Sequence, residues 1–279
     1  MAALLAASVP LFVFAATLTK GARAPIAIIA AGALAAFVVM VALTTGSRAG
    51  MALTFVSIIA SGLIWRARPK RAATKIRGRR KPALAPYALG AFGVTALGVL
   101  ALLMTQTAVF ERIWSAGAGE VEEYRFTVWR TIAGFAPSYM PFGSGIGSFV
   151  EVFKVHEPED MLAQNYWNHA HNDWLEWALE GGAPAMLLMV SATFAWAIRT
   201  VTLLRNSHRG RIEIQLGLAG AIILLILGAW SLVDYPLRTP ALVSLAALCA
   251  VWMALPDFTK AKRGLNQAGG FAAYPGAAR

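Results

Sequence analysis

The sequence predicts an all-α, polytopic integral membrane protein with about seven transmembrane helices and one long extracytoplasmic loop containing amphipathic helices. Three observations lead there. Hydrophobic residues make up 58% of the chain and charged ones 14%, with a mean hydropathy of +0.59, far from an ordinary soluble domain. Seven windows, 2–19, 24–47, 49–65, 82–110, 181–198, 214–233 and 239–256, are apolar enough to cross roughly 30 Å of hydrocarbon. The charges outside those windows are sorted by sign.

The windows follow in chain order. The first contains Pro10 and has no basic residue before it, so it reads as a weak span and not as a cleavable signal peptide. The second and third are divided by GSRAG, where a turn lifts Arg48 to the membrane surface; at a span's centre an arginine costs about 2.5–3.5 kcal/mol. Between the third and fourth lies the loop 66–81, which carries Arg66, Arg68, Lys70, Arg71, Lys75, Arg77, Arg79, Arg80 and Lys81 and no acid. Basic residues also mark three other connections: Lys20 and Arg23; Arg199, Arg205, Arg209 and Arg211; and Lys260, Lys262 and Arg263. If these four places are cytoplasmic, the spans alternate and each loop obeys the positive-inside bias. The chain then divides into helices 1–4 (1–105), an extracytoplasmic loop (106–181), helices 5–7 (182–256) and a disordered cytoplasmic tail (257–279).

The net charge of +11 therefore sets topology. It is split among short loops and forms no single basic face, which argues against nucleic acid as a partner. Cys249, the one cysteine, falls in the last window and forms no intrachain disulfide. The loop is acidic instead, with 11 of the chain's 14 acids and a net charge of −7. A charged segment of that length exceeds an ordinary connection and is where chemistry is expected.

Within the loop, 120–135 reads as an amphipathic helix, with Val121, Tyr124, Val128, Ile132 and Phe135 at intervals of three or four. Arg125 and Arg130 on it are either solvated charges paired with nearby glutamates or forks that grip phosphate oxygens. PFGSGIGSF places Gly143, Gly145 and Gly147 at alternate positions: a tight turn, or a run of backbone N–H groups that cradles a phosphate. In NHAHNDWLEWALEGG, Asp173 is the expected N-cap of a helix, with Glu176 completing a capping box and Trp174, Leu175, Ala178 and Leu179 forming the buried face. Gly181 and Gly182 end or kink that helix before the next span. His169 and His171 lie on its approach, where three readings stand: a zinc site, which lacks a third ligand at convincing spacing; hydrogen bonding to backbone carbonyls; or a general base, since imidazole exchanges protons near neutral pH. Arg48 is either an interfacial, snorkelling arginine or a second anion clamp.

Taken in order, GSRAG, YRFTVWR, PFGSGIGSF, AHNDWLEWALEGG and SLVDYPLRTP resemble the O-antigen ligase and polymerase superfamily of bacterial envelopes, over about 26–253. The ligase pattern fits His171, Asn172 and Gly182 and departs from this chain at Ala185. The resemblance implies a mostly α-helical, metal- and cofactor-independent transferase of the bacterial inner membrane with a periplasmic site. It acts on an undecaprenyl-diphosphate-linked glycan and passes the glycan to lipid A core or another glycan acceptor. It carries the essential arginines onto Arg48 and Arg125 and the essential histidine onto His171. Beside these, Arg130, His169, Asn172, Gly145 and Gly147 are expected, from the residues themselves, to bind substrate. The resemblance also implies that the seven windows correspond to the last seven spans of a longer relative. A transporter is the rival class, but the windows are nearly free of the ionisable groups that transporters hold at the midplane, with Asp234 and Arg238 expected at an outer turn.

Overall fold

The computed structural model describes residues 2–45, 47–68, 116–161 and 167–270. Among these the regular structure is helical: α1 (Ala2–Leu18), α2 (Ala24–Thr44), α3 (Arg48–Arg66), α4 (Ala116–Phe135), α5 (Phe149–His156), α6 (Asp173–Arg205), α7 (Ile212–Trp230) and α8 (Pro240–Gly270), joined by short 3₁₀ turns. Four helices are long and apolar enough to cross a membrane, with their spans at Ala24–Ala42, Arg48–Arg66, Asp173–Arg205 and Ile212–Trp230. Two shorter apolar stretches, Leu4–Leu18 and Pro240–Pro256, accompany them. The expected window 82–110 lies outside the described residues. The helix α8 runs on past Pro256 to Gly270, through part of the segment expected to be a disordered tail. Between Lys260 and Arg263 that extension is a run of good helix formers, KAKR, and it ends at a glycine pair.

The most buried helix is α7, which packs against α1, α3, α6 and α8. Four contacts fix the directions. Gln215 at the start of α7 donates to Ile64 O at the end of α3; Trp196 on α6 donates to Ala221 O at 3.0 Å; Arg199 donates to Met253 O on α8 at 2.7 Å; and Cys249 lies against Gly220. Neighbouring helices therefore run antiparallel to α7. As a result Lys20, Arg23, Arg66, Arg68, Arg205, Arg209 and Arg211 collect at one end of the bundle. The starts of α3, α6 and α8, the end of α7 and the acidic segment collect at the other. Segregation of charge in the sequence is thus segregation in space.

Backbone groups orphaned inside the bundle find partners on other segments, as hydrocarbon demands. Pro10 lacks the N–H that would bond Ala6 O one turn back. The hydroxyl of buried Ser57 on α3 donates to that carbonyl at 2.6 Å. An apolar groove of about 280 Å³ runs between α1, α2 and α3 beside this contact, lined by Val13, Ala16, Gly32, Ala35 and Trp65, and lies apart from the acidic segment.

The principal break is in α6, where Gly182 takes φ 57° and ψ −149° just before Pro184. Pro184 has no N–H for Glu180 O, so Gly145 N donates to it at 2.9 Å. Leu179 O accepts from Ser144 N at 2.9 Å, and Ala183 N donates to Pro141 O at 2.8 Å. The kink expected at the glycine pair is present, and the glycine loop 141–145 is bonded across it. Gly143 and Gly182 pack so closely that a Cβ on Gly143 would strike the carbonyl of Glu180, and one on Gly182 the carbonyl of Pro141.

Beyond the kink the acidic segment has its own core of Val128, Ile132, Phe149, Phe153, Met161, Ala170 and Leu179. The amphipathic stripe of α4 supplies Val128 and Ile132 as expected, but Tyr124 is exposed. His156 closes α5 against α4, stacked on Phe135 at 4.2 Å and sharing a 3.1 Å hydrogen bond with Tyr139.

Replacing Gly182 or Gly143 by alanine combines a left-handed backbone with a backbone clash and is expected to destabilise by more than the ~1–3 kcal/mol of conformational strain alone. Gly145→Ala, at φ 106° with open space around it, should show the strain only. Thermal unfolding of the three variants in detergent should therefore rank Gly145→Ala as the mildest.

Candidate functional site

The site grows from the approach to α6. Asn172, in extended backbone, is the N-cap: its Oδ1 accepts from Leu175 N at 3.1 Å. This corrects the expected capping box. Asp173 is the first helical residue, and its Oδ2 accepts from Ser231 Oγ and Leu237 N, each at 2.9 Å. Glu176 accepts from His169 Nδ1 and from Ala170 N, both at 2.8 Å. The face turned into the protein is the expected one only at Leu179. Asp173, Glu176 and Glu180 are buried with it, whereas Trp174, Leu175 and Ala178 are half-buried.

Carboxylates tolerate such burial only when paired. Arg238, in the 3₁₀ turn between α7 and α8, supplies the charge. Its Nη1 donates to Glu180 Oε2 at 2.7 Å, and its Nε lies 3.5 Å from Glu176 and 3.9 Å from Asp173. The guanidinium also lies over the Trp177 ring, 5.2 Å from its centre. The other Glu180 oxygen, Oε1, accepts from Phe149 N at the start of α5.

His171 follows this pinned loop with φ 50°, a left-handed conformation that histidine adopts more readily than most residues. Its ring meets Tyr235 edge-on at 4.9 Å and Trp167 at 5.8 Å, and its Nδ1 lies 3.2 Å from Asp234 Oδ1. Asp234 also accepts from Tyr235 N at 3.0 Å and Trp230 Nε1 at 3.2 Å. Burial alone would push the Asp234 carboxyl up. The hydrogen bonds from His171 and Tyr235, with the charges of His171 and Arg125, outweigh it and hold the group below its ordinary 3.8. An ionised carboxylate only accepts, so the shared proton sits on Nδ1 and Nε2 becomes the basic nitrogen. Arg125 reaches the same turn, donating from Nη1 to Val233 O at 3.3 Å.

His171 and Arg125, 46 positions apart in the sequence, are thus joined through the 233–234 turn. Arg48 opens α3 behind the Ser47 cap and is exposed at the same end of the bundle. Arg130 is exposed and stands outside the group. His169 is held by a carboxylate and not by backbone carbonyls, and Asn172 is occupied as a cap. The glycines adopt the left-handed backbone of a tight turn, with φ 106° at Gly145 and 83° at Gly147. Ser144 and Gly145 donate their N–H groups to Leu179 O and Glu180 O, so the turn is also a docking contact on the kink of α6.

The model of the O-antigen ligase family matches residues 33–190, more than half of the chain. This chain belongs to the O-antigen ligase family. No curated protein matches it. The O-antigen ligase match takes in Arg48, Arg125, Arg130, the glycine loop and both histidines, and it ends before Asp234 and Arg238. Asp234 and Arg238 were expected only at an outer turn and Glu176 only in a capping box, while Glu180 and Tyr235 carry no motif of their own. A signal for the acids did exist, since 173, 176 and 180 recur at helical spacing.

Removing Arg238 strands three buried carboxylates, so Arg238→Met is expected to destabilise this ligase-family protein by about 3–5 kcal/mol, whereas Arg130→Met should leave thermal unfolding unchanged. A depressed folded value means that the Asp234 pair stabilises fully above the unfolded carboxyl value and loses that effect as pH falls through the folded one. The stability gap between the wild type and Asp234→Asn should therefore persist down to pH 3.8 and close only below it, as read by acid titration of unfolding.

Proposed function

We propose that this O-antigen ligase family member moves a polysaccharide from undecaprenyl diphosphate to an acceptor hydroxyl, lipid A core in the first instance, at the periplasmic face of the bacterial inner membrane. Family membership supports the coarser role, that of a lipid-linked glycan ligase or polymerase in a membrane. The observation that carries the proposed transfer is the His171–Asp234 pair with Arg125 on the same turn. Here the acidic end of the bundle is taken as periplasmic, on the strength of the positive-inside charge pattern.

In this mechanism Nε2 of His171 removes the proton of the acceptor hydroxyl as its oxygen bonds to the anomeric carbon. The bond from that carbon to the diphosphate oxygen breaks with its electron pair going to the leaving group, and a single displacement inverts the configuration. Asp234 keeps its negative charge and stabilises the imidazolium. Arg125, with Arg48 from the same end of the bundle, neutralises the departing diphosphate, and Arg130 adds to the field that attracts it. Diphosphate is a good leaving group, so the chemistry requires neither a nucleotide nor a metal. His169 and Asn172 hold the loop that presents His171. A polymerase uses the same chemistry with a repeat-unit hydroxyl as acceptor, and Ala185, where the ligase pattern is broken, favours that second reading.

A positioned base contributes about 10²–10⁴ in rate, so His171→Ala should lose transfer by that factor while inserting normally. Arg125→Lys keeps the charge but not the planar fork, and should recover little activity. Both are measured with purified protein in vesicles holding a lipid-diphosphate glycan, offered lipid A core, a second repeat unit or a protein acceptor in turn. Undiminished transfer by His171→Ala would overturn the role assigned to the imidazole, and the accepted substrate identifies the subclass.

A further inference from the structure

The glycine loop has a second face. From Ala136 to Ser148 the chain has no charged residue, although the surrounding segment is the most acidic part of the protein. The apolar side chains of this stretch are turned outward: Phe142 is 79% exposed and Ile146 67%. Both residues sit on backbone that is fixed. Pro141 O and Gly145 N, on either side of Phe142, are bonded to Ala183 and Glu180, and the Ile146 side chain lies beside Gly181.

The neighbouring surface is that of a membrane-spanning helix. Directly past the kink, α6 exposes Met186, Leu187, Leu188 and Phe194, and its apolar window is among the least buried in the protein. The Trp196–Ala221 contact sets the register of α6 on α7. From it, ~14 Å of helix toward the acidic end reaches Trp230, the last residue of α7, and Leu187 on α6, one turn short of Ala183 and Pro184. The loop bonded to Ala183 is therefore level with the hydrocarbon boundary. On its other flank the exposed pair Glu151–Lys154 shows where water begins.

We infer that Phe142 and Ile146 form a lipid-inserted wedge, an extension of the lipid-facing surface of α6 that seats the 141–147 loop among the acyl chains at the bilayer boundary. Burying two large apolar side chains among acyl chains favours that position. The wedge holds the kink, and through Glu180 and Arg238 the histidine loop, at a fixed depth. The inference rests on the membrane-spanning character of α6 and not on the proposed reaction.

Single-cysteine spin labels test it in vesicles, at Phe142→Cys and Ile146→Cys, with Leu187→Cys as the lipid control and Glu151→Cys as the aqueous control. Cys249 is buried and stays in place, with the wild type measuring any labelling of it. Collision with oxygen should exceed collision with a water-soluble nickel chelate at 142 and 146, giving a ratio close to that at 187. A ratio like that at 151 would place the loop in water. Protection from both reagents would mean that protein covers it. Either outcome overturns the wedge. Agreement between two independently made positions guards against a local disturbance by one label.

Discussion

One half-buried guanidinium organises the acidic end of this protein. Arg238 meets three carboxylates on one face of α6, and each carboxylate has a further partner on a different piece of chain. Asp173 holds Ser231 and Leu237, Glu176 holds His169 and Ala170, and Glu180 holds the start of α5. The end of α7, the histidine loop and the glycine loop are thereby referred to one guanidinium. Buried ion clusters are poor sources of net stability compared with apolar packing. What this one supplies is register: it fixes where the 169–171 loop sits relative to Asp234, on which the orientation of the His171 ring depends.

The apolar end of the molecule obeys a different constraint. Where hydrocarbon surrounds the helices, a backbone group released by proline or glycine has no water to turn to. Ser57 reaches across to the carbonyl that Pro10 leaves open, and the glycine loop takes up the carbonyls and amide left open near Gly182 and Pro184. Each break in a helix is therefore also a contact between helices or between a helix and a loop. The two constraints meet at Glu180, whose carbonyl belongs to the kink and whose carboxylate belongs to the ion cluster.

The large features could be read directly from residues because they depend on local runs: apolar windows, the sorting of charge, and a Gly-Gly-Ala-Pro stretch that breaks a helix. The site was legible only in part. His171 and Arg125 stood out as types, but their meeting depends on a turn 63 residues beyond the histidine, which no spacing rule connects to it. Asp173 and Glu176 fit a helix cap in sequence, where acids ordinarily face water. Their burial follows from a cation 58 residues distant from Glu180. Tyr124 fits the stripe of α4 and yet is exposed, since periodicity names a face and does not say how far along the helix that face stays covered. In the glycine loop the turn was legible from the glycines, while its bonds to α6, 35 residues away, were not.

The break in α6 has an evolutionary side. Its geometry is written twice, once at 179–184 and once at 139–145, and neither stretch is complete without the backbone of the other. Change in one is tolerated only with compensation in the other, so the two behave as one heritable module despite the chain that separates them. Length variation between them can accumulate in the intervening residues, while the paired stretches are held to a common form by mutual fit.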